Sequence, residues 1–413
     1  MPDTGKLDCF LCNLSNRVYN LHKICYYHLM ILERTIKTKL TQLLNSFPVV
    51  TVTGCRQCGK STLLKNLLPD YTYISLEDLD IRQLAKEDPR HFISLYPQKV
   101  ILDEIQQVPE LLSYLQTHID SINESGMYVL TGSQNFLLMQ SISQTLAGRT
   151  ALLTLAPFSV EELRNAELLP DTTNEMLFTG SFPRIYDKHM EPSDFYPSYI
   201  KTYIERDVRM LRNITDYSAF TRFLKLCAGR CSQILNVTTL SEDAGITRKT
   251  AEAWLSVLET SYIIYMLKPY YKNFGKRIIK NPKLYFYDTG LVCSLLGLTN
   301  PQQIETFYMR GALFENFAVS ELVKKRIFQG KSDELYFWRD SNGVEIDVIE
   351  EDEMELKAYE IKASETMNTA FFSNIKKVKE IAGIKSENTA VIYSGKSLKA
   401  TKENGAYICW KEL

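Results

Sequence analysis

The apolar positions of the chain fall into a clear order only after residue 29. Between Met30 and Phe47 they recur at helical spacing and predict an amphipathic helix. Val49-Val-Thr-Val-Thr53 is then a short β-branched run that leads into Gly54, and residues 61–68 return to helical spacing, so strand, loop and helix follow one another. Residues 71–76, 99–103, 127–131 and 151–155 read as further strands with helical segments between them, the last closed by Pro157. Strands that alternate with helices predict a parallel sheet covered on both faces.

From 159 to 215 the spacing is mostly helical, broken at Thr179-Gly-Ser-Phe-Pro183, which has no strand alternation and reads as a turn. Residues 239–244 and 247–258 form two short helical patterns joined at Gly245, the mark of a helix-turn-helix. The rest of the chain, from about 283, mixes helix and strand again. The fold class is therefore α/β. Five regions are expected: an extension over 1–29, a sheet core over 30–158, a helical lid over 159–215, a helix-turn-helix over 216–275 and a second α/β unit over 276–413.

Composition adds limits. At 413 residues the chain exceeds one ordinary core, since a domain takes roughly 150 residues. Its 45% hydrophobic and 23% charged content is that of a globular protein that buries its cores. A net charge of -1 gives no global pull toward nucleic acid or anionic membrane, so any DNA contact must use a local basic patch. Nine cysteines in a long chain without a basic start and apolar run predict a reducing, cytoplasmic setting. No apolar run approaches the roughly 18 residues of a membrane span.

Gly54-Cys55-Arg56-Gln57-Cys58-Gly59-Lys60-Ser61-Thr62 fits G-x-x-x-x-G-K-[ST], placed between a strand and a helix as a P-loop requires. Its glycines let consecutive N–H groups surround phosphates, Lys60 reaches the β- and γ-phosphate oxygens, and Ser61 offers a hydroxyl to magnesium. Val100-Ile-Leu-Asp103-Glu104 ends a strand in two carboxylates, Asp103 suited to magnesium and Glu104 to polarising the attacking water. Ser133, at the end of another strand, is a candidate for the γ-phosphate or that water, and Arg149 for phosphate charge in cis or from a neighbouring subunit. No Asn-Lys-x-Asp for reading guanine is present, which favours ATP. ATP with Mg2+ is thus the expected ligand. Cys55 and Cys58 occupy variable loop positions and read as small filler, with redox closure of the loop as the alternative. Cys9, Cys12, His22, Cys25 and His28 match no familiar zinc spacing, and residues 1–29 read as an extension ahead of a natural start at Met30.

With these motifs in hand, the chain resembles a prokaryotic group of AAA-type ATPases that carry a C-terminal DUF4143 domain. The resemblance rests on Thr53-Gly-Cys-Arg-Gln-Cys-Gly-Lys-Ser61, Ile101-Leu-Asp-Glu-Ile-Gln106, Leu130-Thr-Gly-Ser133, Leu146-Ala-Gly-Arg149, Tyr203-Ile-Glu-Arg-Asp-Val208, Lys283-Leu-Tyr-Phe-Tyr-Asp-Thr-Gly-Leu291 and Phe337-Trp-Arg-Asp-Ser-Asn-Gly343, and runs from about Arg34 to Lys362. It implies a cytoplasmic ATPase with a winged helix-turn-helix and a nuclease-like C-terminal domain.

Two further sites are expected downstream. Glu345-Ile-Asp347 and Glu360-Ile-Lys362 lie on alternating segments that predict a β-hairpin turning near Glu353 and Met354, with Glu345, Asp347, Glu360 and Lys362 on one face. The pattern is similar to the D…E-x-K of restriction-type nucleases, with Asp347 and Glu360 as ligands of a second magnesium, Lys362 beside them and Glu315 as a further carboxylate; a solvated hairpin of cross-strand ion pairs is the alternative. Arg248 and Lys249 open the second helix of the helix-turn-helix, and Lys272, Lys276, Arg277, Lys280 and Lys283 are interleaved with Tyr270, Tyr271 and Phe274, a basic and aromatic patch of the kind nucleic acid favours. The reading is an ATPase acting on or near DNA, against an ATP-dependent switch that recruits a protein partner.

Overall fold

The computed structural model describes residues 32–132, 142, 145–208, 214, 216–270, 280–332, 334–340, 343–352, 355–400 and 405–413. The candidates Ser133, Tyr271, Lys272, Phe274, Lys276 and Arg277 lie outside them, as do the cysteines and histidines of residues 1–29.

The first sheet holds β1 (Val49–Gly54), β2 (Thr72–Ser75), β3 (Val100–Asp103), β4 (Tyr128–Thr131) and β5 (Thr150–Leu155), ordered β2-β3-β4-β1-β5. Every neighbouring pair is parallel. Side chains alternate across the strands. Val50, Val52, Ile101, Val129 and Leu153 enter the main core, while Val49, Val100, Leu102, Tyr128 and Leu130 enter a second one under the helix Leu111–Ile122. Burial on both faces explains why these strands read as almost continuous apolar runs.

Short helices follow over Val160–Asn165, Thr173–Thr179, Pro183–Asp187 and Pro192–Tyr199. The first two open with complete capping boxes, Ser159 with Glu162 and Thr172 with Glu175, so each start is fixed locally. The turn expected at Thr179–Pro183 falls between the second and third helices. Three helices, Tyr217–Ala228, Val237–Ala244 and Arg248–Thr260, come next; Asn236 and Thr247 cap the last two, and Gly245 ends the middle one in the left-handed region.

A second sheet has eight strands: β6 (Gln233–Ile234), β7 (Ile264–Pro269), β8 (Lys283–Phe286), β9 (Leu335–Arg339), β10 (Glu345–Asp352), β11 (Glu355–Lys362), β12 (Thr389–Tyr393) and β13 (Ala406–Cys409), ordered β13-β12-β11-β10-β9-β7-β8-β6. β10 and β11 form the expected antiparallel hairpin, Asp352 opposite Glu355. β7 pairs antiparallel with β8 and parallel with β9, so one sheet runs from the three-helix region into the C-terminal unit. The helix Arg310–Phe328 is buried along almost its whole length, which explains why its apolar positions show little periodicity.

Candidate functional site

β1 ends at Gly54 with φ 140°, and a Cβ there would stand 2.0 Å from the Leu155 carbonyl oxygen, so the close pairing with β5 requires glycine. Gly59, at φ 95°, turns the chain into the helix Lys60–Leu67. Cys55 and Cys58 face the core, whereas Arg56, Gln57 and Thr62 are exposed. The Lys60 ammonium donates to the carbonyls of Gly54 and Cys55 at 2.9 and 3.0 Å and is held inside the loop.

Ser61 donates to Asp103 Oδ2 at 2.9 Å, which joins the loop to the end of β3. Asp103, 6% exposed, also accepts from the hydroxyls of Tyr73 on β2 and Thr131 on β4. Burial, and then the Asp103 carboxylate, push the Tyr73 phenol up, so it stays protonated as a donor. Glu104 takes φ 57° just past the strand, and its carboxylate accepts from the Gln106 amide. Glu104, Arg56, Lys60, Ser61 and Thr62 line a cavity of about 910 Å³ whose far side is Leu32, Phe158, Pro183 and Arg184.

Three of these residues escape a sequence reading. Tyr73 and Thr131 lie on strands beside β3 only because the order is β2-β3-β4, which the chain order does not reveal. Arg34, 5% exposed, donates to the Cys58 carbonyl at 2.9 Å, the Ala156 carbonyl at 2.7 Å and Glu162 Oε1 at 3.0 Å. The outside of the P-loop is thereby tied to a capping box. A lone arginine before a helix carries no signal of this.

The thiols of the loop are not equivalent. Burial pushes both up, but the hydrogen bond from Cys55 and the charges of Lys60 and Arg34 outweigh it at Cys58 and bring that thiol down to about 6; Cys55, the donor, stays well above the usual range.

Arg149 corrects one expectation. Val49 donates to its carbonyl at 3.2 Å, so it sits beside the start of β1, whereas the P-loop follows the end of that strand. At about 3.3 Å per residue the two lie roughly 16 Å apart along the sheet. Its guanidinium is held by Asp120, Nε to Oδ1 at 2.5 Å and Nη2 to Oδ2 at 2.8 Å. Arg149 is not a phosphate ligand in cis.

On the second sheet, Glu345, Asp347, Glu360, Lys362 and Glu315 converge as the hairpin expectation required. Lys362 donates to Glu360 Oε2 at 2.7 Å and lies 3.6 Å from Asp347 Oδ2, which also accepts from the Ile361 N–H at 2.8 Å. Lys283 joins them unexpectedly. It is buried, and its ammonium meets Glu315 at 2.9 Å, Glu345, and Asp347 at 3.9 Å, which corrects its assignment to an exposed basic patch. Tyr270, of the same patch, is 2% exposed. Burial and then the charge of Asp347 push Glu315 up to about 7 and Glu360 up to about 8. Among the described residues no group of three or more His, Cys, Asp or Glu side chains is disposed to hold a metal ion. The ammonium groups of Lys283 and Lys362 stand among these carboxylates, beside the expected magnesium pair Asp347 and Glu360.

No helix among the described residues is long and apolar enough to cross a membrane. Residues 46–164 match the AAA domain family, 170–302 a domain of unknown function, DUF8612, and 310–413 the domain of unknown function DUF4143. Uncharacterized proteins of Mycobacterium tuberculosis and Mycobacterium bovis are each 26% identical over 343 residues, 82% of this chain and 75% of theirs. One from Haemophilus influenzae is 23% identical over 297 residues, 63% of this chain and 72% of its own. Among solved structures, a Walker-type ATPase of Pyrococcus abyssi aligns with a TM-score of 0.43 at 17% identity, covering 64% of this chain and 96% of that one. The chain belongs with the proteins that join an AAA domain, a P-loop fold that supports ATP binding, to a C-terminal DUF4143 domain.

Proposed function

We propose that the chain is a magnesium-dependent ATPase whose nucleotide state acts, through the second sheet and the helix-turn-helix, on DNA. The observation that carries the ATPase reading is the 2.9 Å contact between Ser61 and Asp103 at the edge of the P-loop cavity. A hydroxyl and a carboxylate are the hard oxygen donors magnesium takes, with phosphate oxygens and water completing its shell. When bound, the ion would neutralise charge that develops on the phosphates. The chain supplies the rest: loop N–H groups and Lys60 hold the phosphates, and Glu104, which lines the same cavity, orients and polarises the attacking water. Leu32, Phe158 and Pro183 offer the apolar wall that a purine base needs.

The DNA reading rests on the three helices followed by antiparallel strands, a winged-helix-like arrangement with Arg248 and Lys249 exposed at the start of its last helix. Purified protein assayed for phosphate release should hydrolyse ATP only with magnesium, and turn over faster with duplex or single-stranded DNA. Lys60→Ala should abolish nucleotide binding. Glu104→Gln should leave binding within about twofold and slow turnover by roughly 10²- to 10⁴-fold, the range of a lost general base. Equal loss of binding in the two variants would refute these roles. Hydrolysis unchanged by any DNA, with no DNA retained in a gel shift, would replace DNA by a protein partner.

A further inference from the structure

We propose that Lys283 is a built-in cation that takes the place of a divalent metal among the C-terminal carboxylates, so that this cluster is a closed salt knot and not a cleaving centre. The inference narrows what the second sheet does in the reading above, but it stands on its own geometry.

Each of the four carboxylates meets a cation of the chain itself, and one buried oxygen is an exception, left without a donor. Lys283 Nζ meets Glu315 Oε1 at 2.9 Å, Glu345 Oε1, and Asp347 Oδ1 at 3.9 Å, with only 4% of its side chain exposed. An ammonium has three N–H donors, and three carboxylates surround this one. Glu345 Oε2 accepts from Arg339 at 2.9 Å, and Glu315 Oε1 also accepts from the Tyr285 hydroxyl at 2.6 Å. Asp347 Oδ2 takes the Ile361 N–H, and Glu360 Oε2 takes Lys362. Four carboxylates thus face the three cations Lys283, Lys362 and Arg339. Magnesium needs about six oxygens at roughly 2.1 Å in near-octahedral array, and the ammonium of Lys283 stands where oxygens of three elements would have to converge on it.

The exception says what the cluster would accept if that ammonium were removed. Glu360 Oε1 is buried without a hydrogen-bond partner, on a residue 2% exposed, and its carboxyl group lies against the same Lys362 that approaches Asp347. Deleting the ammonium would leave Glu315, Glu345 and Asp347 without the cation they share, and above about pH 8, where Glu315 and Glu360 are ionised, the excess negative charge is one that a small divalent cation relieves. The lysine comes from β8, the acids from the helix Arg310–Phe328 and from β10 and β11, so the knot also fastens β8 to that helix and to the β10–β11 hairpin.

The test is Mn2+ binding without nucleotide, followed by the electron paramagnetic resonance of the free ion, on wild type, Asp347→Asn, Lys283→Met and the double variant. Wild type and Asp347→Asn should bind Mn2+ equally weakly; Lys283→Met should gain a site at least tenfold tighter, which the double variant loses. Wild-type binding that Asp347→Asn removes would overturn the proposal, as would a folded Lys283→Met that gains no site. Should Lys283→Met fail to fold even with Mn2+ present, the wild-type comparison decides alone: binding insensitive to Asp347→Asn supports the proposal, and binding lost in that variant overturns it. Because none of these readouts involves ATP, failure here is distinguishable from failure of the ATPase reading.

Discussion

Asp103 gathers hydroxyl donors from three directions, Ser61 on the P-loop helix, Tyr73 on β2 and Thr131 on β4. A carboxylate so held keeps one orientation, and a magnesium ligand gains by being fixed before the ion arrives. Tyr73→Phe removes one donor and leaves the ring in place. Its expected effect is a roughly tenfold higher Mg2+ concentration for half-maximal ATP hydrolysis, since a hydrogen bond to a charged group is worth about 1.5–3 kcal/mol, with little change in the rate at saturating Mg2+. A titration in which only the thermal midpoint moves, and the Mg2+ dependence does not, would reduce Tyr73 to a packing residue. Arg34 works from the other side of the loop, holding the Cys58 carbonyl while it also lines the cavity.

At the level of elements, the junction of β1 with β5 is the most constrained part of the first sheet. Gly54→Ala would put a Cβ 2.0 Å from the Leu155 carbonyl at a φ of 140°, and either the strand pair parts or the loop is displaced. The expected cost exceeds about 3 kcal/mol of folding stability, in the range of severe backbone and overpacking defects, with nucleotide binding lost. Urea unfolding within 1 kcal/mol of wild type would contradict it. The P-loop and the five strands around it are legible in the sequence because their determinants are contiguous: a β-branched run, two glycines, a lysine and a hydroxyl. The β10–β11 hairpin is legible as well, since Glu345, Asp347, Glu360 and Lys362 announce themselves by alternation. What the chain conceals depends on strand order and direction. Tyr73 meets Asp103 only across a lateral pairing. Arg149 belongs to a stretch that carries the family resemblance, yet it stands at the end of β1 opposite the P-loop. Lys283 follows several basic residues in sequence, but all four residues of β8 are buried, so no alternation separates it from a core position or marks it as facing acids.

Across the whole molecule, the carboxylates of the second sheet set a pH dependence. Glu315 and Glu360 carry folded values near 7 and 8 against 4.5 when unfolded, so the folded chain binds more protons than the unfolded one between those limits. The free energy of unfolding should therefore fall as pH rises from about 5 to 8, the slope being negative wherever the native state holds the extra proton. Glu360→Gln should flatten that decline, read by urea unfolding at several pH values; an unchanged slope would show that the protons sit elsewhere. The same sheet has a mechanical side. β7 is bonded to β8 on one edge and to β9 on the other, and Tyr270 extends the latter pairing with a 2.8 Å bond to Phe337. The helix that begins at Arg248 and the salt knot around Lys283 are thus mounted on one beam. One hydrogen-bonded sheet carries both, so a displacement of either passes to the other through backbone pairing and not through side chains alone.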